Sequence, residues 1–259
     1  MRLWIATLWF VISVIGNPAM ATSLADDSTL VVVSYNIKAA RGMDGQLNLR
    51  RTADVINRLN PDIVFLQEVD SMTHRTEEVD QMMKLGEWTN MKPVFGAHRP
   101  YDGGAYGNGI LTNIPIKKQQ IHQLPMTAKP LTALSVQLLN KDWESPIWIT
   151  GIHLYMTAEQ RMAQAKKLNK IHQDYIVPVI IGGDFNSTAD SQVMRYLSEQ
   201  WQIPAKKGNS GTYPADDPVK EIDYIIFKPN KYFKVLESYV AETPLASDHR
   251  PYVLKLKLK

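Results

Sequence analysis

Short apolar segments that each end abruptly in polar residues recur along this sequence, and they constrain its fold more than any other feature. Residues 29–35 and 177–181 are continuous β-branched or apolar runs, which are typical of strands buried on both faces. Between such runs, residues 49–59 carry apolar side chains at helical spacing, and Asn60-Pro61 then ends the predicted helix. This alternation predicts an α/β fold of mixed sheets covered by helices.

The same reasoning assigns the remaining elements. Further strands are predicted at 63–66, 109–113, 116–124, 131–139, 146–154, 222–227, 232–241 and 251–258. Helices are predicted at 76–86 and, behind a capping box formed by Thr157 and Gln160, up to about His172. Residues 93–109 are rich in Gly, Pro and Tyr and are expected to form a loop. No repeat or linker divides the chain, so we expect one domain over residues 28–259.

The N-terminal segment has the features of a secretory signal peptide. Arg2 supplies a positive charge, residues 3–16 are nearly unbroken apolar sequence, and Ala19-Met20-Ala21 is a suitable cleavage site. A membrane anchor is the alternative, but the apolar run is shorter than the roughly 20 residues that a span needs. We therefore expect residues 1–21 to be removed and the mature protein to be periplasmic or secreted.

Composition limits the chemistry without choosing the substrate. The chain has no cysteine, so a bound metal must be held by oxygen and imidazole groups, which favours a hard cation. Its formal net charge of +3 is close to balanced. A basic balance indicates nucleic-acid binding only when it is strong and clustered, and here it is neither.

Polar groups able to bind metal or phosphate follow several of the predicted strands or lie within them. These residues are Asn36, Glu68, His153, Asp184, Asn186, Asp223, Asp248 and His249. Each alone has a structural alternative, such as a turn residue, a solvated strand exit or a core histidine. A carboxylate within an apolar strand, such as Asp223, is costly to bury without a partner. Convergence in one cleft at a sheet edge explains the whole set.

The order and spacing of these groups resemble a known family. The segments that carry the resemblance are Tyr35-Asn36-Ile37, Leu66-Gln67-Glu68-Val69, Gly151-Ile152-His153-Leu154, Gly183-Asp184-Phe185-Asn186, Ile222-Asp223-Tyr224-Ile225 and Ser247-Asp248-His249-Arg250-Pro251. Together they span nearly the whole mature chain and are similar to the endonuclease/exonuclease/phosphatase superfamily, which includes deoxyribonuclease I. The resemblance implies a four-layer α/β sandwich, with two mixed β-sheets packed face to face and flanked by helices.

The resemblance also implies a metal site. Glu68 would be the principal ligand of a divalent cation, Mg²⁺ or alternatively Mn²⁺, with Asn36 and Asp248 near the metal. Such a site is chemically consistent, because Mg²⁺ takes few carboxylates together with water and substrate oxygens.

The catalytic roles implied by the resemblance fall on five further residues. Asp184 would be the general base, and Asn186 would help it to orient the attacking water. His249 would donate to the phosphoryl oxygen, Asp223 would pair with a catalytic imidazole, and His153 would be a second candidate acid. Phosphoryl transfer needs charge neutralisation and positioning more than covalent chemistry, which agrees with this set.

Several positions refine the resemblance. Lys38 stands where the exonuclease III branch has a metal-binding Asp, and His153 where that branch has Tyr; both changes argue against abasic-site repair. Asn108 and Arg41 resemble substrate-contacting residues of bacterial members, although a tight turn and a solvated side chain are their structural alternatives. An Arg common in bacterial relatives near Pro130-Leu131 is absent.

Three functions compete at this point. The first is an exported Mg²⁺-dependent phosphoesterase acting on a phospholipid, an inositol phosphate or another phosphodiester or phosphomonoester. The second is a secreted nonspecific endonuclease, and the third is a catalytically silent binding module. We expect a monomer without a stable protein partner, and we expect loops 71–108 and 200–220 to determine the substrate.

Overall fold

The computed structural model of the protein describes residues 29–126 and 129–259. The strands are β1 (Thr29–Asn36), β2 (Ile63–Ser71), β3 (Lys92–Tyr101), β4 (Gly104–Thr112), β5 (Ile116–Leu124), β6 (Leu131–Leu138), β7 (Ile147–His153), β8 (Val179–Asp184), β9 (Asp223–Lys228), β10 (Phe233–Val240) and β11 (Tyr252–Leu258). The helices are α1 (Leu49–Leu59), α2 (Gln81–Thr89), α3 (Ala158–His172) and α4 (Gln192–Ser198). The predicted signal peptide at residues 1–21 lies outside the described residues. No helix in the described ranges has the length and apolar character needed to cross a membrane.

The strands form two mixed sheets. The first sheet has the order β10-β11-β1-β2-β4-β3, and the second has the order β5-β6-β7-β8-β9. Each sheet contains one central parallel pair, β1 with β2 and β7 with β8. A helix crosses over between the strands of each pair, α1 in the first sheet and α3 in the second, as parallel strands require. The two strands of each parallel pair therefore end at the same edge of their sheet.

The two sheets pack face to face around the main apolar core. Val32 and Phe65 from the first sheet meet Ile149 and Ile180 from the second. The sheets approach closely at Gly182, where an added Cβ would lie 2.1 Å from the Phe65 ring. A side chain larger than hydrogen at this position would therefore separate the sheets.

Helices cover both outer faces and complete four layers. On the first sheet, Ile56 of α1, Leu85 of α2 and Val33 of β1 belong to one apolar cluster. On the second sheet, Leu168 of α3 and Leu197 of α4 pack in a separate apolar cluster. Because Val32 faces the core between the sheets and Val33 faces the helices, β1 is buried on both sides. The predicted four-layer α/β sandwich is confirmed.

Residues 93–109 are not the predicted loop but most of a β-hairpin. Strands β3 and β4 pair antiparallel from Lys92 to Thr112. Asp102 and Gly103 form the turn with φ of 48° and 84°, and an Asp-Gly pair is a strong hairpin signal. The prolines in β3 argue against a strand at the level of sequence, but they are tolerated because β3 is the edge strand of its sheet.

Two other element predictions need correction, and one helix was missed. The helix predicted at 76–86 begins later, because Asp80 caps α2 by accepting from the Met83 N–H. Helix α4 was not predicted, although Ser191 caps it in the same way. Strand β2 does not stop at 66 but continues to Ser71. The capping box at the start of α3 is confirmed, with the Thr157 side chain accepting from the Gln160 N–H.

Candidate active site

Three predicted site residues form a row across the second sheet. In the strand register, His153 of β7 lies opposite Asp184 of β8, and Asp184 lies opposite Asp223 of β9. Directly opposed residues project their side chains to the same face of a sheet. All three are buried, so two carboxylates and an imidazole are gathered at the strand ends.

Glu68 reaches the same region from the first sheet through a break in strand pairing. Leu66 pairs with Gly109 and Val69 pairs with Gly107, so Gln67 and Glu68 together oppose one residue of β4. This bulge gives Glu68 a left-handed φ of 56° and re-aims its side chain. The irregular strand thus directs Glu68 into the cleft instead of along the sheet.

Asn36, at the end of β1, links the two sheets. Its Nδ2 group donates to Glu68 Oε1 at 3.2 Å and to Asp184 Oδ2 at 3.3 Å. Its Oδ1 atom accepts from the Lys38 N–H at 3.1 Å. Asn36 therefore fixes the relative position of the two carboxylates.

His249 forms a buried pair with Asp223. The Nδ1 atom of His249 lies 2.9 Å from Asp223 Oδ2, and its Nε2 atom lies 3.8 Å from Asp184 Oδ2. Burial alone lowers the pKa of His249, but the negative charges of Asp223, Asp184 and Asp248 more than offset this and raise the pKa to about 10. This raised pKa favours the imidazolium form of the ring, which can donate from both nitrogens. Tyr213 packs against it at 5.0 Å between ring centroids.

Asp184 lies at the centre of these contacts. Its Oδ1 atom accepts from the Asn186 N–H at 2.8 Å. Burial and the neighbouring Asp223 raise the pKa of Asp184 to about 6, although His153 and His249 act in the opposite direction. A carboxylate with a pKa near neutrality is suited to accept a proton from water.

Asn186 also determines how His153 is used. Its Nδ2 group lies 3.0 Å from His153 Nε2 and 2.9 Å from the Leu154 carbonyl oxygen. The same His153 nitrogen lies 3.5 Å from Asp184 Oδ2. His153 thus contacts both Asn186 and Asp184 through one nitrogen, whereas His249 uses one nitrogen for Asp223 and turns the other towards Asp184.

These groups surround an open cleft of about 520 Å³. Six of the ten predicted site residues line it: Glu68, His153, Asp184, Asn186, Asp248 and His249. Asn36 and Asp223 lie behind it and are joined to it by the hydrogen bonds described above. Eight of the ten residues are thus brought together.

The remaining two predicted residues lie elsewhere. Arg41 is exposed and donates from Nη1 to the Gly45 carbonyl oxygen at 2.8 Å. Asn108 is fully buried in β4, where its side chain interacts with the His98 ring instead of the cleft. A role for either in binding substrate stays a prediction.

The cleft also contains two basic residues that the sequence did not indicate. Arg161 and Lys220 both line it. Arg161 projects from the first turns of α3 and donates from Nε to Ser187 Oγ at 3.0 Å. The position of Arg161 could have been predicted, because the capping box at Thr157 begins α3 just after the strand that carries His153 and so places the first turns of the helix near the site. Nothing comparable marked Lys220, which lies outside the regular elements.

Next to the cleft, the backbone after β1 is strained. Lys38, Ala39 and Ala40 have φ values of 49°, 50° and 63°, a left-handed conformation that is costly for non-glycine residues. The Gln81 side chain holds this turn by donating to the Ala39 carbonyl oxygen at 2.9 Å. As a result, Lys38 Nζ lies 2.8 Å from Asp248 Oδ2.

Two groups of residues could hold a metal. Asp184, Asp223 and His249 offer ligand atoms within 4.8 Å of one another, and this set combines carboxylate oxygens with an imidazole. Glu68 and Asp248 both line the cleft and provide oxygen donors only, while Asn36 holds Glu68 through its Nδ2 group. Such donors suit Mg²⁺ or Mn²⁺, so this second set fits a hard divalent cation better.

Comparisons with known proteins agree with this description. The model of the Endonuclease/Exonuclease/phosphatase family matches residues 33–249. A search of curated protein sequences gives no match.

Solved structures with the same fold cover most of the chain. An endonuclease/exonuclease/phosphatase from Beutenbergia cavernae has a TM-score of 0.75 and 23% identity over 89% of this chain and 72% of its own. The mannosyl-6-phosphatase of Bacteroides thetaiotaomicron has a TM-score of 0.71 and 19% identity, covering 89% and 99%. The human Nocturnin catalytic domain has a TM-score of 0.71 and 20% identity, covering 90% and 95%. At these identities the likeness concerns the fold.

Proposed function

This chain belongs to the endonuclease/exonuclease/phosphatase family, a family of phosphate-ester hydrolases, and on that premise we propose that it is an exported, Mg²⁺-dependent phosphoesterase. The observation that carries the proposal is the buried pair of Asp223 and His249, at 2.9 Å, beside Asp184 and Asn186 in one cleft. A binding module would not need an imidazolium buried between two carboxylates, because burying charged groups is costly.

Glu68 would be the principal metal ligand, with Asp248 and Asn36 beside it. When bound, the cation would neutralise charge on the phosphate and polarise the bond to phosphorus. Asn36 would also hold Glu68 in place through the hydrogen bond to Oε1.

The residues of the cleft then divide the proton transfers between them. Asp184 would take a proton from the attacking water, which Asn186 helps to orient. As the oxygen of water bonds to phosphorus, the bond from phosphorus to the leaving oxygen breaks, and the leaving alkoxide takes up a proton from solvent in the open cleft. His249, held by Asp223, would donate from Nε2 to the phosphoryl oxygen on which charge develops. Arg161 and Lys220 add positive charge along the cleft.

The substrate class is left to experiment among phospholipids, inositol phosphates, other phosphate esters and nucleic acid. The purified protein would be assayed with Mg²⁺ on supercoiled plasmid, on bis(p-nitrophenyl) phosphate and on p-nitrophenyl phosphate. We expect hydrolysis of at least one substrate that EDTA and His249→Gln both abolish. Plasmid nicking under both controls would favour the secreted endonuclease. No hydrolysis of any substrate by folded protein, with Mg²⁺ or Mn²⁺, would contradict the proposal.

Export is proposed from the N-terminal sequence alone. Cell fractionation followed by N-terminal sequencing tests it, and we expect exported protein that begins at Thr22. Protein that retains Met1 in the cytoplasmic fraction would contradict this part of the proposal.

A further inference from the structure

A second, smaller cavity adjoins the active cleft. It has a volume of about 210 Å³ and shares His153 and Tyr155 with the cleft. We call it the side pocket. At roughly 30 Å³ per water molecule, it has room for a group the size of one sugar ring. A group attached to a phosphate in the cleft can reach the side pocket past His153.

Positive charge marks the side pocket. Arg99 and Lys129 line it, and no Asp or Glu does so among the described residues. Neither cation forms an ion pair in the described part of the chain. Nearby Arg75 is different, because it contacts both carboxylate oxygens of Asp70, at 2.6 and 2.8 Å. The charge of Arg99 is therefore available for an anion.

Aromatic packing holds Arg99 in place. Its guanidinium lies 4.8 Å from the centroid of the Tyr106 ring and 5.7 Å from that of Tyr101. Such stacking orients the planar group and leaves its N–H donors free at the edges. Tyr106 also lines the side pocket, so the guanidinium of Arg99 is held against an aromatic ring of the pocket wall.

A buried neutral histidine forms part of the wall. The His98 ring lines the side pocket, and its Nδ1 atom accepts from the Thr132 N–H at 3.1 Å. Burial lowers the pKa of His98 to about 3 and outweighs the hydrogen-bonding effect of the Asn108 side chain, so the ring is neutral. The charge of the pocket therefore comes from Arg99 and Lys129.

We propose that the side pocket binds the alcohol portion of the substrate and that this portion is a ring-sized group carrying a second anion, a phosphate or a carboxylate. This inference rests on the proposed function, because it places the scissile phosphate in the cleft. Arg99 and Lys129 would select for the second anion.

Competitive inhibition tests the proposal without knowledge of the natural substrate. Inhibition constants against hydrolysis of a p-nitrophenyl ester would be measured for glucose monophosphate, phosphogluconate and fructose bisphosphate. With wild-type protein, we expect an inhibitor with a second anion to bind about tenfold more tightly than glucose monophosphate. If only fructose bisphosphate binds more tightly than glucose monophosphate, the second anion is a phosphate. If only phosphogluconate does so, it is a carboxylate.

Variants separate the side pocket from general attraction to charge. Arg99→Gln and Lys129→Gln should each reduce the tenfold preference to about twofold, and Arg99→Lys should retain part of it. Lys117→Gln is the matched control, because Lys117 is exposed on β5 at the opposite end of the β5–β6 pair from Lys129. We expect this control to keep the full preference. Thermal unfolding would verify that every variant is folded.

Two results would overturn the side-pocket proposal. One is equal inhibition by all three compounds, and the other is a preference that persists in both Gln variants. If no ester is hydrolysed at all, the proposed function fails instead, and calorimetric titration of the same three compounds into the full protein decides whether the side pocket selects a second anion.

Discussion

His249 and His172 are both buried, yet they occupy regions that give them opposite charge. His172 packs on the helix-covered face of the second sheet, where Thr150 Oγ1 lies 3.2 Å from its Nε2 atom. The rings of Tyr175 and Trp201 surround it, at 5.0 and 6.0 Å between centroids. Burial, with smaller contributions from Lys228 and His122, lowers its pKa to about 3.

His249 undergoes the same desolvation in the cleft, but carboxylates face it. Their charge reverses the effect of burial and raises its pKa to about 10. Burial alone therefore gives a neutral structural imidazole, whereas burial beside carboxylates gives a charged acid. The difference lies in the partners, and it separates the packing imidazole from the one proposed to be catalytic.

The largest expected effect comes from replacing the two histidines in turn. His249→Gln should lower kcat/KM for a p-nitrophenyl ester by about 10² to 10⁴, because it removes the acid. His172→Gln, which keeps a polar group beside Thr150, should leave kcat/KM within a few fold. Steady-state kinetics on both folded variants checks the contrast. Similar losses in the two would mean that the cleft imidazole has no chemical role.

Removing the proposed metal ligand should have the next largest effect. Glu68→Gln preserves the shape of the side chain but removes its charge, so we expect turnover to fall on the order of 10² to 10³ and Mg²⁺ binding to weaken. Isothermal titration with Mg²⁺ measures the binding directly. Undiminished Mg²⁺ affinity in Glu68→Gln would place the metal elsewhere, for example on the cluster of Asp184, Asp223 and His249.

Asp223→Asn makes the surroundings of His249 more like those of His172. The pKa of His249 should fall from about 10, and kcat/KM should drop on the order of 10², because the ring loses both its orientation and its charge. The comparison requires kinetics at several pH values. Activity in Asp223→Asn that equals wild type at every pH would show that the pair is structural.

The smallest expected effect is on stability and comes from His172. The pKa of His172 lies below the unfolded value of about 6.5. As the pH falls from 6.5 to 3, the unfolded chain therefore binds a proton at His172 that the native state does not bind. At pH 5 this proton should cost about 2 kcal/mol of unfolding free energy relative to pH 7.5. Urea unfolding of wild type and His172→Gln at several pH values isolates the contribution of His172, since the variant should lack this part of the pH dependence. Identical pH dependence in the two proteins would refute the assignment.

Much of the fold could be predicted because the apolar strands and the helix caps are local signals. Strands β1, β8 and β11 and the capping box of α3 were readable for this reason. The β3–β4 hairpin was not predicted, because Pro93, Pro100 and several glycines outweighed the Asp-Gly turn. Their tolerance depends on β3 being an edge strand, which is a property of the whole sheet.

The site was predictable where residues follow regular strands. Asp184 and Asp223 lie opposite each other because β8 and β9 pair, and sequence order indicated both. The bulge that turns Glu68 into the cleft depends on its pairing with β4 and is not visible in β2 alone. Lys220 reaches the cleft from an irregular segment, and Arg41 turns away because the Gly45 carbonyl oxygen accepts from it. These placements depend on tertiary contacts.

The most direct measurement is the protonation state of the imidazole rings at pH 8, read from ¹⁵N chemical shifts of histidine-labelled protein, with His249→Gln and His172→Gln to assign the signals. We predict that His249 is a cation with protons on both ring nitrogens, whereas His172 is neutral with one. A neutral His249 at pH 8 would contradict the claim that its carboxylate partners make it the acid of the site.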